Sequence, residues 1–157
     1  MYYYNIHDII RVESDVILYE LEYFKSKEFE KSDLSIKTSD SLQGGLRFTR
    51  KIIEDRSNNS HKILYTEHFG SAGAQFSIEF GERIEVTINK LISNSKHVLY
   101  VNLVEPLLRF LFISRGFILL HSACLDKNDS GLLMSAPPDT GKTTTVLKCV
   151  KKGYSFL

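Results

Sequence analysis

The sequence has little of what marks several classes of protein. It contains only 2 cysteines, Cys124 and Cys149, which stand among apolar or small neighbours and form no CxxC or CxxH pattern. We therefore expect reduced, buried thiols of the kind found in cytosolic proteins. The net charge of +1 gives no electrostatic reason to expect nucleic acid or an anionic membrane surface as a partner. No feature of the sequence indicates an oligomeric state.

Long uninterrupted apolar runs are also missing. The most apolar region, Val98 to Leu120, is interrupted by Glu105, Arg109 and Arg115. Each of these charges is costly in a bilayer, so we expect a buried core element here and not a membrane span. The first residues, M-Y-Y-Y-N-I-H-D, lack the basic start and apolar core of a secretory signal. These observations favour a cytoplasmic protein.

Residues 1–95 predict a β-rich region with charged connections. R-I-E-V-T-I-N, Arg83 to Asn89, alternates between apolar and polar residues, as expected for a half-buried strand. Three more segments read as strands: V-I-L-Y-E-L-E (Val16 to Glu22), K-I-L-Y-T-E and Q-F-S-I-E-F. Polar breaks between them indicate loops that join antiparallel strands. No motif in this half points to a chemistry.

The sequence pattern changes after residue 95. V-E-P-L-L-R-F-L-F-I-S-R-G predicts a buried helix over 104–115, with Pro106 in its first turn and Gly116 after its end. Within it, Glu105 and Arg109 are spaced to form an ion pair along one face. Two short apolar runs follow at 117–125 and 131–135. The polar link K-N-D-S between them predicts a β-hairpin.

The second run leads directly into S-A-P-P-D-T-G-K-T-T-T, Ser135 to Thr145, which predicts a phosphate-binding loop. In such a loop a strand ends in a tight turn and a helix begins at the lysine, so that backbone N–H groups and the helix N-terminus surround an anion. Lys142 would then reach the outer phosphates of a nucleotide triphosphate, and the hydroxyl of Thr143 would ligate Mg²⁺.

A helix over 142–152 is predicted after the loop. Its inward face is formed by three apolar residues, Val146, Leu147 and Val150. Lysines in its last turn suit the helix dipole, and Gly153 stands where a C-terminal cap is expected.

The loop departs from the usual pattern at two positions. Ala136 stands at the first glycine, which is tolerable if that residue keeps a negative φ. Asp139 stands where glycine is common, and aspartate is one of the few residues that accept a left-handed backbone. Its carboxylate must point away from the phosphates. The sequence thus predicts a loop that binds a purine nucleotide triphosphate, most simply ATP, with Mg²⁺.

The stretch F-I-L-L-H-S-A-C-L-D-K-N-D-S-G-L-L-M-S-A-P-P-D-T-G-K-T-T-T-V-L-K-C-V-K-K-G-Y-S-F-L resembles the P-loop domain of the HPr kinase/phosphorylase family and the related core of ATP-dependent phosphoenolpyruvate carboxykinase. The likeness covers roughly residues 105–157 and lies in the combination of a histidine-containing strand, a hairpin, the loop and an exit glycine. It implies an α/β fold: a β-rich N-terminal half followed by the start of a carboxykinase-like P-loop core. It also implies an ATP-dependent serine kinase that transfers the γ-phosphoryl group to a hydroxyl of a protein, peptide or small molecule.

The resemblance also implies residue roles. The phosphate pocket would be lined by Asp139, Thr140, Gly141, Lys142, Thr143 and Thr144. His121 falls on the family's strand histidine, which in the carboxykinase branch helps to bind the catalytic metal. From the residues alone, a single histidine in an apolar strand is more often a core residue, and both interpretations stay open.

One element of the family is missing. The next strand of the family ends in an acidic pair that handles magnesium and the attacking hydroxyl, whereas here the strand from Tyr154 has only started at Leu157. No catalytic acid or base can therefore be assigned, since phosphoryl transfer needs such a group. We expect these residues to be an inactive N-terminal fragment of a longer protein, with a β-rich region at 1–95 and a partial P-loop kinase-like domain at 96–157.

Two other functions stay open. A-P-P-D-T-G-K-T-T is also similar to the loops of AAA-like ATPases, which convert hydrolysis into motion. The second open function is a regulatory nucleotide-binding module without turnover, because Asp139 could weaken the phosphate contacts. The predicted hairpin before the loop favours the kinase, since the ATPase expects the loop to follow a strand of a parallel sheet. The first 100 residues show no arginine cluster for a carboxykinase substrate.

Overall fold

The computed structural model of the chain describes residues 1–40, 49–55, 60–69, 72–120, 122–137 and 140–156. These residues form a mixed α/β protein whose first half is β-rich, as predicted. The chain divides into two compact units, Met1–Gly116 and Phe117–Leu157. The sequence-based boundary lay near residue 95. The helical segment that follows residue 95 packs against the sheet of the first unit, so that unit extends to Gly116.

The first unit is built on a seven-stranded mixed sheet with the order β1-β2-β3-β7-β6-β5-β4. Its strands are β1 (Tyr2–Ile6), β2 (Ile10–Ser14), β3 (Leu34–Thr38), β4 (Thr49–Asp55), β5 (Ser60–Phe69), β6 (Ala72–Phe80) and β7 (Ile84–Ile88). β3 runs parallel to both β2 and β7, and the other neighbours are antiparallel. The strands predicted from R-I-E-V-T-I-N, K-I-L-Y-T-E and Q-F-S-I-E-F are confirmed.

One face of this sheet carries much of the apolar core. Residues paired across neighbouring strands share a face, because side chains alternate along each strand. Ile36 of β3 pairs with Val86 of β7, which in turn pairs with Ile78 of β6, and all three are buried. The same face continues through Leu34 and Ile84, which are also buried.

A helical segment follows β7 and packs on the sheet. It consists of α1 (Lys90–Asn94), α2 (Lys96–Leu99), a π-helical turn (Tyr100–Val104) and α3 (Glu105–Ser114). The π-helical turn has a cause in the sequence: Pro106 has no N–H to donate to the carbonyl of Asn102, and the N–H of Glu105 bonds to the carbonyl of Tyr100.

α3 confirms the helix predicted over 104–115. Gly116 follows its end with φ +80°, in the left-handed region that favours glycine. The predicted ion pair is also present, with Arg109 Nη2 at 2.7 Å from Glu105 Oε1. Lys96–Ser114 is long and apolar enough to cross a membrane on length and composition alone. The prediction of a buried core helix agrees with the burial of Leu107, Leu108, Leu111 and Phe112.

The strand predicted at Val16 to Glu22 is wrong. Residues Tyr19–Phe24 form a 3₁₀ helix instead. Leu18 and Leu21 are both buried, and their spacing of three residues matches one turn of such a helix. The backbone N–H of Leu18 donates a hydrogen bond to the hydroxyl of buried Tyr4, 2.8 Å away. This tertiary contact fixes the segment in a conformation that the local sequence pattern does not predict.

The second unit contains β8 (Ser122–Lys127), β9 (Ser130–Ser135), α4 (Lys142–Val150) and β10 (Ser155–Phe156). Its three-stranded sheet has the order β10-β8-β9, and both pairings are antiparallel. β10 therefore runs parallel to β9, with β8 between them. The predicted hairpin is confirmed: Asn128 and Asp129 form its turn with φ of 55° and 59°. β8 starts at Ser122 and not at residue 117 as predicted.

Candidate phosphate-binding site

The candidate loop joins β9 to α4. The strand ends at Ser135, and α4 begins at Lys142, the residue predicted to start it. Gly141 precedes the helix with φ +91° and ψ 19°. A residue with a Cβ is strained in this left-handed conformation, which explains why glycine stands directly before the lysine. The loop thus leads directly into the N-terminus of a helix, as a phosphate-binding loop does.

The side chain of Lys142 folds back over the loop. Its ammonium donates hydrogen bonds to the carbonyl oxygens of Ala136 and Pro137, the second at 3.1 Å. Among the described residues no carboxylate pairs with this ammonium. The positive charge of Lys142 is therefore held at the loop by neutral carbonyl groups, and no acidic side chain that the structure describes neutralises it.

The threonines around the lysine fall into two groups. Thr140 donates from its hydroxyl to the carbonyl of Pro137 at 2.7 Å, and Thr145 donates to the carbonyl of Gly141 at 3.1 Å. These two hydroxyls brace the turn and the first turn of the helix. Thr143 and Thr144 are exposed, and within the described part of the chain their hydroxyls make no hydrogen bond. Their hydroxyls are thus open to a ligand.

Among the described residues no side chain caps the N-terminus of α4. The first N–H groups of a helix lack intrahelical partners and carry the positive end of the helix dipole. An anion placed there would accept hydrogen bonds from these groups. The sequence has no acidic residue in the first turn of α4 to compete for them.

A cavity of about 420 Å³ lies beside the loop, within the second unit. The described residues that line it are Ser122, Ala123, Lys142, Thr143, Val146, Leu147, Val150 and Phe156. Of the predicted inward face of α4 only Val146 is buried, whereas Leu147 and Val150 are exposed at 58% and 42%. Ser122 and Phe156 were not predicted as site residues. No sequence signal indicates Ser122, because a strand residue next to His121 is expected on the opposite face.

Two predicted site residues, His121 and Asp139, lie outside the described residues, and their roles stay predictions. Thr140, Gly141, Lys142, Thr143 and Thr144 are together in the loop and the first turn of α4. No group of three His, Cys, Asp or Glu side chains able to hold a metal ion occurs among the residues that the structure describes. Cys124 and Cys149 are both unpaired and only half-buried.

No protein-family model, curated protein or solved structure matches this chain. The interpretation of the site therefore depends on its own geometry: a strand, a left-handed glycine, a lysine folded over the turn and an uncapped helix N-terminus.

Proposed function

We propose that this chain carries the ATP-binding loop of a cytoplasmic, HPr-kinase-like serine kinase with a carboxykinase-like P-loop core. The observation that supports the proposal is the junction of loop and helix. α4 begins at Lys142 immediately after left-handed Gly141, no side chain that the structure describes caps its N-terminus, and the lysine ammonium is held at the loop by backbone carbonyls. This combination is what an anion-binding strand–loop–helix requires.

Each group has a role toward the phosphates of ATP. The free N–H groups at the start of α4 would donate hydrogen bonds to phosphate oxygens. Lys142 would exchange the carbonyls of Ala136 and Pro137 for the outer phosphates. A hydrogen bond to a charged group contributes about 1.5–3 kcal/mol, which corresponds to a change of about tenfold or more in the affinity for ATP.

The residues present also fit a magnesium ion that arrives with the nucleotide. Thr143 is exposed directly after Lys142, and its hydroxyl has no protein partner in the described part of the chain. It would hold Mg²⁺, and His121 is a second predicted ligand. Bound Mg²⁺ supplies positive charge at the β- and γ-phosphate oxygens. The protein's own contribution is to position the phosphates by Lys142 and the helix N-terminus.

The strand arrangement favours a kinase over an ATPase motor. The loop follows an antiparallel hairpin, β8–β9, and not a strand flanked by parallel neighbours. β10 returns parallel to β9 after α4, with β8 between them, which forms a βαβ crossover around the loop. The acceptor of the γ-phosphoryl group would be a hydroxyl of a protein, peptide or small molecule.

Threonine variants test the proposed magnesium role. Thr143→Ala should lose most of the dependence of ATP affinity on Mg²⁺. Thr145→Ala is the matched control, because its hydroxyl is already bonded to Gly141. Calorimetric titrations with ATP in the presence of Mg²⁺ and of a chelator give the ratio of the two dissociation constants for each protein. An unchanged ratio in Thr143→Ala would refute the assignment.

Transfer chemistry distinguishes the kinase from the other functions. The protein in its full natural length is incubated with γ-labelled ATP and with serine-containing acceptors or their alanine counterparts. Label on serine acceptors alone supports the kinase. Release of labelled phosphate without transfer points to an ATPase, and binding without either reaction points to a regulatory module.

A further inference from the structure

A second cavity lies in the first unit and belongs to none of the features above. Its volume is about 430 Å³, within the range of small-molecule sites. One wall is the sheet and the other is the helical segment that covers it. The described residues that line it are Tyr65, Ala74, Phe76, Ile92, Val98, Leu99, Asn102 and Leu103.

The sheet wall of this cavity carries a pair of stacked aromatic rings. Tyr65 of β5 pairs across the strands with Phe76 of β6, and their rings stack with centroids 4.8 Å apart and an interplanar angle of 17°. Ala74, two residues before Phe76, lies on the same face and leaves room above the sheet because its side chain is a single methyl. A planar ring in the cavity could pack against these two rings.

The helical wall is apolar apart from one residue. Ile92, Leu99 and Leu103 are buried aliphatic side chains, whereas Val98 and Asn102 are exposed, so the one polar residue of this wall lies on its solvent side. Asn102 lies in the π-helical turn, four residues before Pro106. Since Pro106 lacks an N–H, the carbonyl of Asn102 also loses its α-helical donor. π-Helical turns of this kind occur frequently at functional sites.

The geometry points to a binding site for a small, uncharged aromatic molecule with one hydrogen-bonding N–H or O–H group. The stacked rings and aliphatic side chains would bury its rings, and Asn102 would accept the hydrogen bond. No described residue that lines the cavity carries a charge, so a charged ligand would lose its hydration without a partner. The inference is independent of the phosphate-binding loop, which belongs to the other unit.

The neutral dye N-phenylnaphthylamine is a suitable probe, because it has two aromatic groups and one N–H. We expect the wild-type chain to bind it at a saturable site, detected by the rise in dye fluorescence. Ala74→Leu fills the cavity and should weaken binding by about tenfold or more, which is readily separated from experimental error. Ala123→Leu is the matched control, since it makes the same substitution in the cavity of the second unit.

The two alanine variants decide where the dye binds. Loss in Ala74→Leu with retention in Ala123→Leu supports the site. Retention in Ala74→Leu, or no saturable binding by the wild type, overturns it. Circular dichroism checks that Ala74→Leu folds. If it does not, the test uses Asn102→Leu instead, in the comparison described next. This substitution leaves the size of the cavity similar and its lining apolar.

Asn102→Leu tests the ligand class directly. Benzylnaphthalene has CH₂ in place of the N–H of the dye, and its affinity is measured by competition. The wild type should prefer the amine by about threefold to tenfold, the usual value of one hydrogen bond, and Asn102→Leu should bind both equally. An equal preference for the amine in both proteins would contradict the role of Asn102.

Discussion

The ammonium of Lys142 lies 3.1 Å from the carbonyl oxygen of Pro137 and donates a hydrogen bond to it. This hydrogen bond holds the side chain of Lys142 over the loop that precedes it. The positive charge therefore lies at the loop before a ligand binds. Gly141 makes the contact possible, because its left-handed backbone turns the chain from the loop into α4. The path of the loop and the position of the Lys142 side chain thus both depend on the left-handed backbone of Gly141.

Gly141→Ala should therefore destabilise the protein. A Cβ at residue 141 meets no atom within 4 Å, so the cost comes only from the φ of +91°. We expect a loss of about 1–2 kcal/mol in the free energy of unfolding. Gly131→Ala is the control, because its Cβ also meets nothing within 4 Å and its φ is not positive. Urea unfolding measures both variants. Equal stabilities would mean that residue 141 does not need a left-handed backbone.

Tyr4→Phe should remove a buried hydrogen bond. Tyr4 is fully buried, and its hydroxyl accepts the hydrogen bond from the N–H of Leu18 at 2.8 Å. Phenylalanine leaves that N–H without a partner, at a cost of about 1–3 kcal/mol. Tyr23→Phe serves as the control, since Tyr23 is 89% exposed. A Tyr4→Phe protein as stable as the control in urea would show that water replaces the lost hydroxyl.

The same tyrosine should make stability depend on alkaline pH. Burial raises the pKa of Tyr4 above its ordinary value of 10.0 and outweighs the opposing effect of the Leu18 hydrogen bond. The folded state thus holds the proton more tightly than the unfolded state. This contribution is fully present below the unfolded pKa and is lost as pH rises through the folded one. Above about pH 10, the wild type should lose stability more steeply than Tyr4→Phe. Parallel slopes in urea titrations would contradict the raised pKa.

Several elements with a local sequence signal were predicted, but β1, β2, β3 and β4 were not, although I-R-V-E-S of β2 alternates as β7 does. β7 alternates cleanly, the hairpin turn has Asn and Asp in left-handed conformations, and α4 starts at Lys142; each signal lies within a few residues. The 3₁₀ helix was missed because its anchor is Tyr4, fourteen residues before Leu18. The parallel placement of β3 between β2 and β7 has no local signal either.

Part of the candidate site could be predicted from local sequence, and part of it could not. Gly141, Lys142 and Thr143 form a continuous motif, and their arrangement could be read from it. Ser122 and Phe156 reach the same cavity from other strands, and only the folded sheet brings them beside α4. The aromatic pair of Tyr65 and Phe76 was likewise hidden, because strand register and not sequence spacing makes them neighbours.

The most direct test of the account is the affinity of Lys142→Ala for ATP. Calorimetric titration with ATP and Mg²⁺ is compared for the wild type, Lys142→Ala and Lys148→Ala, each in the full natural length of the protein. Lys148 is an exposed lysine on the same helix. Removing the charge at the loop should weaken binding by about tenfold or more, and Lys148→Ala should stay within about twofold of the wild type. Equal affinity of the wild type and Lys142→Ala would contradict a phosphate-binding role for this loop.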